Sequence, residues 1–170
     1  MKLPVEVLIV SASPIYARAV RVVGKTRDVF VVTTTYGKTE AVDASSGRVV
    51  WRFTPSGYAG WAGSPQITNA TPILSTDRKY VFAAAPNGKP YKLRLSTGAN
   101  VGGRWPVTIT RDPTHEKIGP PLNLSRGLLL EATGGYIGTR RRTRATSSRS
   151  TPPPDASYTS GTRSAAIGTS

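Results

Sequence analysis

The sequence has no cysteine, one histidine and one methionine, and its acidic residues are few: nine, against 23 lysines and arginines. Each scarcity closes a class of function. Without a thiol there is no disulfide framework, no thiolate metal centre, no CxxC redox pair and no cysteine nucleophile. One imidazole cannot build a multi-histidine metal site, although His115 could still serve alone as a base. No run of 18 apolar residues exists, so no helix is expected to span a bilayer. The shortage of acids leaves a net charge of +14, whose first reading is a polyanion partner. A length of 170 residues suits one domain with a sizeable core.

The surplus charge is uneven. Residues 139–170 hold Arg140, Arg141, Arg142, Arg144, Arg149 and Arg163 against the single acid Asp155, and Tyr158 and Ile167 are their only bulky apolar side chains. Such a stretch cannot bury enough apolar surface to offset its ordering entropy and is expected to be disordered. It carries +5 and leaves +9 on residues 1–138. The chain therefore divides into a folded body, 1–138, and an Arg/Ser/Pro-rich tail, 139–170. At the other end, Val5–Val10 is apolar, but Pro4 and Glu6 interrupt the core that a secretory signal requires. An ordinary strand or a truncated start is the expected reading there.

The body reads as β-rich runs separated by turns: Val20–Val23, Val29–Thr35, Thr39–Asp43 and Val49–Phe53, with Tyr36-Gly37-Lys38 and Ala44-Ser45-Ser46-Gly47 between the later ones. No ten-residue window keeps a helical period, so the body is all-β. The same grammar returns 51 residues later, Gly88 answering Gly37 and Gly98 answering Gly47, with Ser96-Thr97-Gly98 in place of Ser45-Ser46-Gly47. A third unit opens at Gly119-Pro120-Pro121-Leu122, echoing Ala70-Thr71-Pro72-Ile73, and Leu128–Ala132 repeats Tyr80–Ala84. A period near 50 with several strands per unit points to propeller blades; an all-β sandwich shares the turn spacing and is the alternative.

Ala41-Val42-Asp43-Ala44-Ser45-Ser46-Gly47-Arg48-Val49-Val50-Trp51, preceded by Gly37, resembles the repeat of the PQQ-like β-propeller family, A-x-D-x-x-[ST]-G-x-x-x-W. The second copy departs from it: Arg94 replaces the Asp, and Trp105 follows Gly98 by seven residues rather than four. The resemblance covers roughly residues 20–138 and implies a partial β-propeller of two to three four-stranded blades. The motif residues Gly37, Asp43, Ser46, Gly47, Trp51, Gly88, Thr97 and Gly98 are given structural duties: Asp and Ser/Thr close a turn, Gly takes the left-handed position, and Trp wedges between sheets. No catalytic or metal-binding residue is assigned.

A third motif should follow Gly138, where the Arg-rich tail begins instead. Read one base out of frame, with suitable synonymous codons, Thr139 onward can spell DAPPYQGHVVAIDAASGRIVHVWN. That string restores the motif and places its glycines where Ala145 and Asp155 stand, ten residues apart as in both earlier units. The tail thus reads as an out-of-frame product on a longer propeller.

Other candidate chemistry is sparse. His115 lies between Asp112 and Glu116 and could be a base or a ligand, but the segment is polar and Pro-interrupted, which favours a solvated inter-blade loop. Gly57-Tyr58-Ala59-Gly60-Trp61-Ala62-Gly63-Ser64-Pro65 could stack on a planar ligand, yet reads more readily as an inter-blade connection with partly buried aromatics.

By resemblance, two functions compete for the parent protein. One is a non-enzymatic scaffold that binds protein partners by its loops, like the propeller lipoprotein of the outer-membrane β-barrel assembly machinery. The other is a quinoprotein dehydrogenase holding pyrroloquinoline quinone with calcium and oxidising alcohols or sugars. The scaffold leads, because no residue can be matched to a quinone ligand. A third reading is nonspecific nucleic-acid binding by the arginine tail. A periplasmic or otherwise exported location is implied by the resemblance alone. With terminal sheet edges open, the isolated chain is expected to be marginally stable or prone to aggregate.

Overall fold

Valine, threonine and aromatic residues in alternation build three antiparallel sheets, seen in a computed structural model that describes residues 10–136 and the backbone of 147–150. The first sheet is a meander of four strands in sequence order: β1 (Ile15–Val22), β2 (Lys25–Thr33), β3 (Thr39–Asp43) and β4 (Val49–Phe53). The second contains β5 (Ile73–Leu74), β6 (Tyr80–Ala85) and β7 (Lys89–Arg94). In the third, β8 (Glu116–Ile118) and β9 (Asn123–Ser125) lie along one edge of β10 (Leu128–Gly135), and β11 (Ser147–Ser150) lies along the other. A single 3-10 turn, Tyr58–Gly60, interrupts the link between the first two sheets.

The 51-residue period is kept pair by pair. Val29 faces Asp43 across β2 and β3, and Tyr80 faces Arg94 across β6 and β7; the next four pairs coincide in the same way, ending at Thr33 with Thr39 and Ala84 with Pro90. The turns match as well. Gly47 N donates to Asp43 O at 2.8 Å and Gly98 N to Arg94 O at 2.8 Å, while Ala44 N and Leu95 N reach the carbonyls of Asp28 and Lys79.

The second unit lacks a full fourth strand. Where the first has Val49-Val50-Trp51-Arg52, the second has Asn100-Val101-Gly102-Gly103. Two glycines there remove the side chains that would hold a pleated edge, and only the bridge between Leu93 and Asn100 remains.

Two cores join the three sheets. Ala17, Val22, Val29, Val31, Ala41 and Trp51 of the first sheet pack against Val81, Ala85, Tyr91, Leu93 and Leu95 of the second. Phe82 and Ala84, on the opposite face of β6, pack with Trp105, Ile118, Leu122 and Leu129. Because β6 is covered on both faces, Val81–Ala85 is a continuous apolar run, as expected of a strand buried on both sides.

The tail segment 139–170, expected to be disordered, includes β11, which is a strand. Its backbone pairs Leu129 with Ser150 and Ala132 with Ser147, along the edge of β10. The rest of the tail, including Arg140, Arg141, Arg142, Arg144 and Arg163, lies outside the described residues, as does the start of the chain through residue 9.

Candidate functional site

The residues marked by the repeat divide between closing turns and packing one unit on the next. The Asp43 carboxylate accepts from the Ser45 hydroxyl at 2.6 Å, from the Ser46 hydroxyl at 3.0 Å and from both backbone N–H groups at 3.0 Å. These donors, the Ser45 hydroxyl first, hold its pKa far below the usual carboxylate range. In the second unit the Thr97 hydroxyl accepts from Ala99 N at 3.3 Å. Gly47 and Gly98 have φ of 69° and 73°. Across the first seam, the Trp51 indole N–H donates to Leu95 O at 2.8 Å, and the ring lies so close over Gly98 that a Cβ there would sit 2.5 Å from Trp51 Cε3. Gly37 abuts Ala85 and Pro86 of the second unit in the same manner, and Gly88 abuts Thr110.

Function is better sought where equivalent positions differ. Each of the first two units has a cleft beside its β2-like and β3-like strands. The first, of about 630 Å³, is bordered by Tyr16, Lys25, Arg27, Asp28, Asp43 and Ser45. The second, of about 460 Å³, opens between the first two sheets and is bordered by Arg21, Asp77, Arg78, Lys79, Arg94 and Ser96. At matching places the first cleft has Asp28 and Asp43 where the second has Lys79 and Arg94. Arg21, Lys79 and Arg94 are exposed, and the Arg78 guanidinium bridges the seam to the Arg18 carbonyl. Asp77 is the one acid of this rim, and its carboxylate lies 3.9 Å from Lys79 Nζ. The sequence reading named Arg94 only as a lapse in the motif; aligning the units at 51 residues brings out Lys79 beside it.

The other candidates are drawn into the fold. Trp61 is buried, and its indole N–H donates to Tyr36 O at 3.0 Å. Tyr58 packs edge-on to both Trp61 and Tyr36, with Lys38 Nζ 4.5 Å from its ring centre. The loop is thus an inter-blade connection whose aromatics pack on one another. His115 Nδ1 lies 2.7 Å from Asp112 Oδ1 within a turn closed by Asp112 O, while Glu116 takes the Thr110 hydroxyl at 2.6 Å. A quinone with calcium would need converging oxygen ligands and a free aromatic face. The described residues do not fit it: no three acidic or histidine side chains converge among them, and Tyr58 and Trp61 are engaged. No helix of the described residues is long and apolar enough to cross a membrane.

No family model matches the sequence, and no curated protein matches it. Solved structures do. The quinohemoprotein alcohol dehydrogenase of Comamonas testosteroni is similar with a TM-score of 0.60 at 18% identity, over 82% of this chain and 19% of that one. Quinohemoprotein alcohol dehydrogenase ADHIIG of Pseudomonas putida HK5 is similar with a TM-score of 0.62 at 19% identity, over 81% of this chain and 18% of that one. BamB of Moraxella catarrhalis aligns with a TM-score of 0.47 at 19% identity, over 72% of this chain and 34% of that one. The chain spans less than a fifth of the length of either dehydrogenase. Three antiparallel sheets, a 51-residue repeat and the two dehydrogenase structures together give the chain the fold of part of a β-propeller.

Proposed function

We propose that the chain belongs to a propeller that works as a protein-binding scaffold rather than an enzyme, and that the cleft between its first two sheets takes an acidic segment of a partner protein. One observation carries this reading: where the repeat has Asp28 and Asp43, the second unit has Lys79 and Arg94, beside Arg21 and Arg78. The turn itself does not need the change, since Gly98 N reaches Arg94 O as Gly47 N reaches Asp43 O. Cations gathered in a partly walled cleft steer and orient an anionic partner more than they add raw affinity. Export to the periplasm belongs to the same proposal and rests on resemblance.

A fluorescent polyglutamate peptide titrated against the full chain tests the cleft. Lys79→Glu with Arg94→Glu should weaken binding by about tenfold or more and flatten its salt dependence, as loss of close charge pairs does. Unchanged binding would overturn the assignment. Removing residues 139–170 and repeating the titration with DNA separates the cleft from the nonspecific arginine tail.

A second reading is favoured by the two dehydrogenase structures that share the fold. It makes the chain a piece of a quinone-dependent alcohol or sugar dehydrogenase, with cofactor contacts drawn from other blades. Dye reduction that depends on pyrroloquinoline quinone, calcium and an alcohol, by the parent protein, would replace the scaffold with this enzyme.

A further inference from the structure

The basic cleft is one stretch of a longer row of cations at one end of the sheets. Ala44 N donates to Asp28 O and Leu95 N to Lys79 O, so in each of the first two units the turn after the third strand lies beside the start of the second. Val23 N, at the tip between β1 and β2, donates to Ser96 O in the turn after β7 at 2.9 Å, which sets the two units' turns side by side. The third unit repeats the first tip. Val22 pairs with Lys25 around Val23-Gly24, and Ser125 with Leu128 around Arg126-Gly127, with φ of 45° and 75° in one and 49° and 74° in the other. The third hairpin thus keeps the turn and exchanges an exposed valine for an exposed arginine. Leu129 shares the core of Phe82, so Arg126 stands at the same end as Lys79. Between them, Lys92 Nζ lies 4.1 Å from the Tyr80 ring centre, on the face that Phe82 turns to the third sheet. The acids along this row, Asp28, Asp43 and Asp77, already accept from the hydroxyls of Tyr16, Ser45 and Ser75.

We infer that the acidic partner segment is an extended polypeptide that runs on from the cleft, past Lys92, to Arg126, rather than a short motif confined to the cleft. This rests on the cleft's taking an acidic segment at all. Packed sheets lie about 10 Å apart and an extended chain advances about 3.3 Å per residue, so about three residues cross one unit. Alternate side chains of such a chain point the same way, about 7 Å apart. It can set carboxylates against the cations and step over Asp77. Duplex DNA, with one charge per about 1.7 Å of axis, would press phosphates on the aspartates as well.

Fluorescent dodecaglutamate, about 40 Å long when extended, is titrated against the full chain in about 0.15 M salt, where charges act over about 8 Å. Arg126→Glu should weaken binding by about fivefold or more, at one peptide per chain. Arg111→Glu makes the same charge change at the other end of the sheets, where Thr110 N reaches Gly88 O in the turn after β6, and should leave binding within about twofold. Lys79→Glu with Arg94→Glu reports on the cleft separately. If that pair weakens binding and Arg126→Glu does not, the segment ends in the cleft: the path to the third sheet is lost and the cleft stands. If the pair has no effect, the cleft reading falls and the path with it. Equal losses from Arg126→Glu and Arg111→Glu reduce the effect to net charge and overturn the path. Two peptides per chain do so too, since Arg126 then belongs to a separate site. A DNA duplex that binds as tightly as the peptide, and loses as much with Arg126→Glu, gives the row to a nucleic acid and overturns it as well.

Discussion

Gly47 and Gly98 share a backbone conformation and differ in what lies above them, so the same substitution separates two costs. Alanine at either position meets the left-handed region, worth about 1 kcal/mol. At Gly98 the new Cβ also drives into Trp51, and overpacking of that kind adds about 1–3 kcal/mol. Urea unfolding should therefore show Gly98→Ala to be clearly more damaging than Gly47→Ala. Glu131 poses a different residue-scale problem. It is 5% exposed, its carboxylate oxygens have no hydrogen-bond partner, and burial pushes its pKa up to about 8. An unfolded glutamate ionises near pH 4.3, so the folded chain keeps a proton that the unfolded chain releases from about that pH upward. Stability is greatest below this window and falls as pH rises toward 8, by at most about 1.4 kcal/mol per pH unit. Glu131→Gln should lose that slope and be more stable than the native chain at pH 8, with little difference near pH 4, as read from urea midpoints. Nothing in a sequence of spaced glycines announces this residue: it stands where the second unit has Ala83, and only the third sheet's packing shows that it is buried.

At the scale of the strand, what distinguishes β6 is cover on both faces. Native-state hydrogen exchange should find the amides of Val81–Ala85 the slowest in the chain, with those of β1 and β9 faster, since opening free energies follow burial and contact density. Uniform protection across the three sheets would deny that the middle one is the most enclosed. The strands that were readable from sequence are those in which side-chain pattern and turn chemistry agree. Thr39–Asp43 and Val49–Phe53 carry alternating β-formers and end at glycine turns, and β3 and β4 run over the same residues. Other elements were not readable, because tertiary contacts decide them. β5 is two residues long in a stretch whose backbone instead bonds to loops, Thr68 N to Thr35 O among them. β7 holds Pro90 as a buried strand residue, and β11 is made of serine and arginine on an edge that offers it partners. The basic cleft was equally hidden: Lys79 is an ordinary exposed lysine until β6 and β7 are laid over β2 and β3.

For the whole molecule, the register of the third sheet bears on the gene. Leu129 pairs with Ser150 and Ala132 with Ser147. With Leu128–Ala132 laid on Tyr80–Ala84, these are the places at which Phe30 pairs with Val42 and Thr33 with Thr39. The out-of-frame string puts Val-Val-Ala-Ile at 147–150, the four residues leading into its motif Asp. Sequencing the encoding DNA should find the string one base out of frame after Gly138, and a gene without it removes the reading. The two seams carry a further consequence. The first is closed by Trp51 from within a strand, the second by Trp105 from a loop, with Gly102 at the position that the 51-residue period would give to tryptophan. The joints are thus keyed differently, one by a tryptophan held within a strand and the other by a tryptophan carried on a loop.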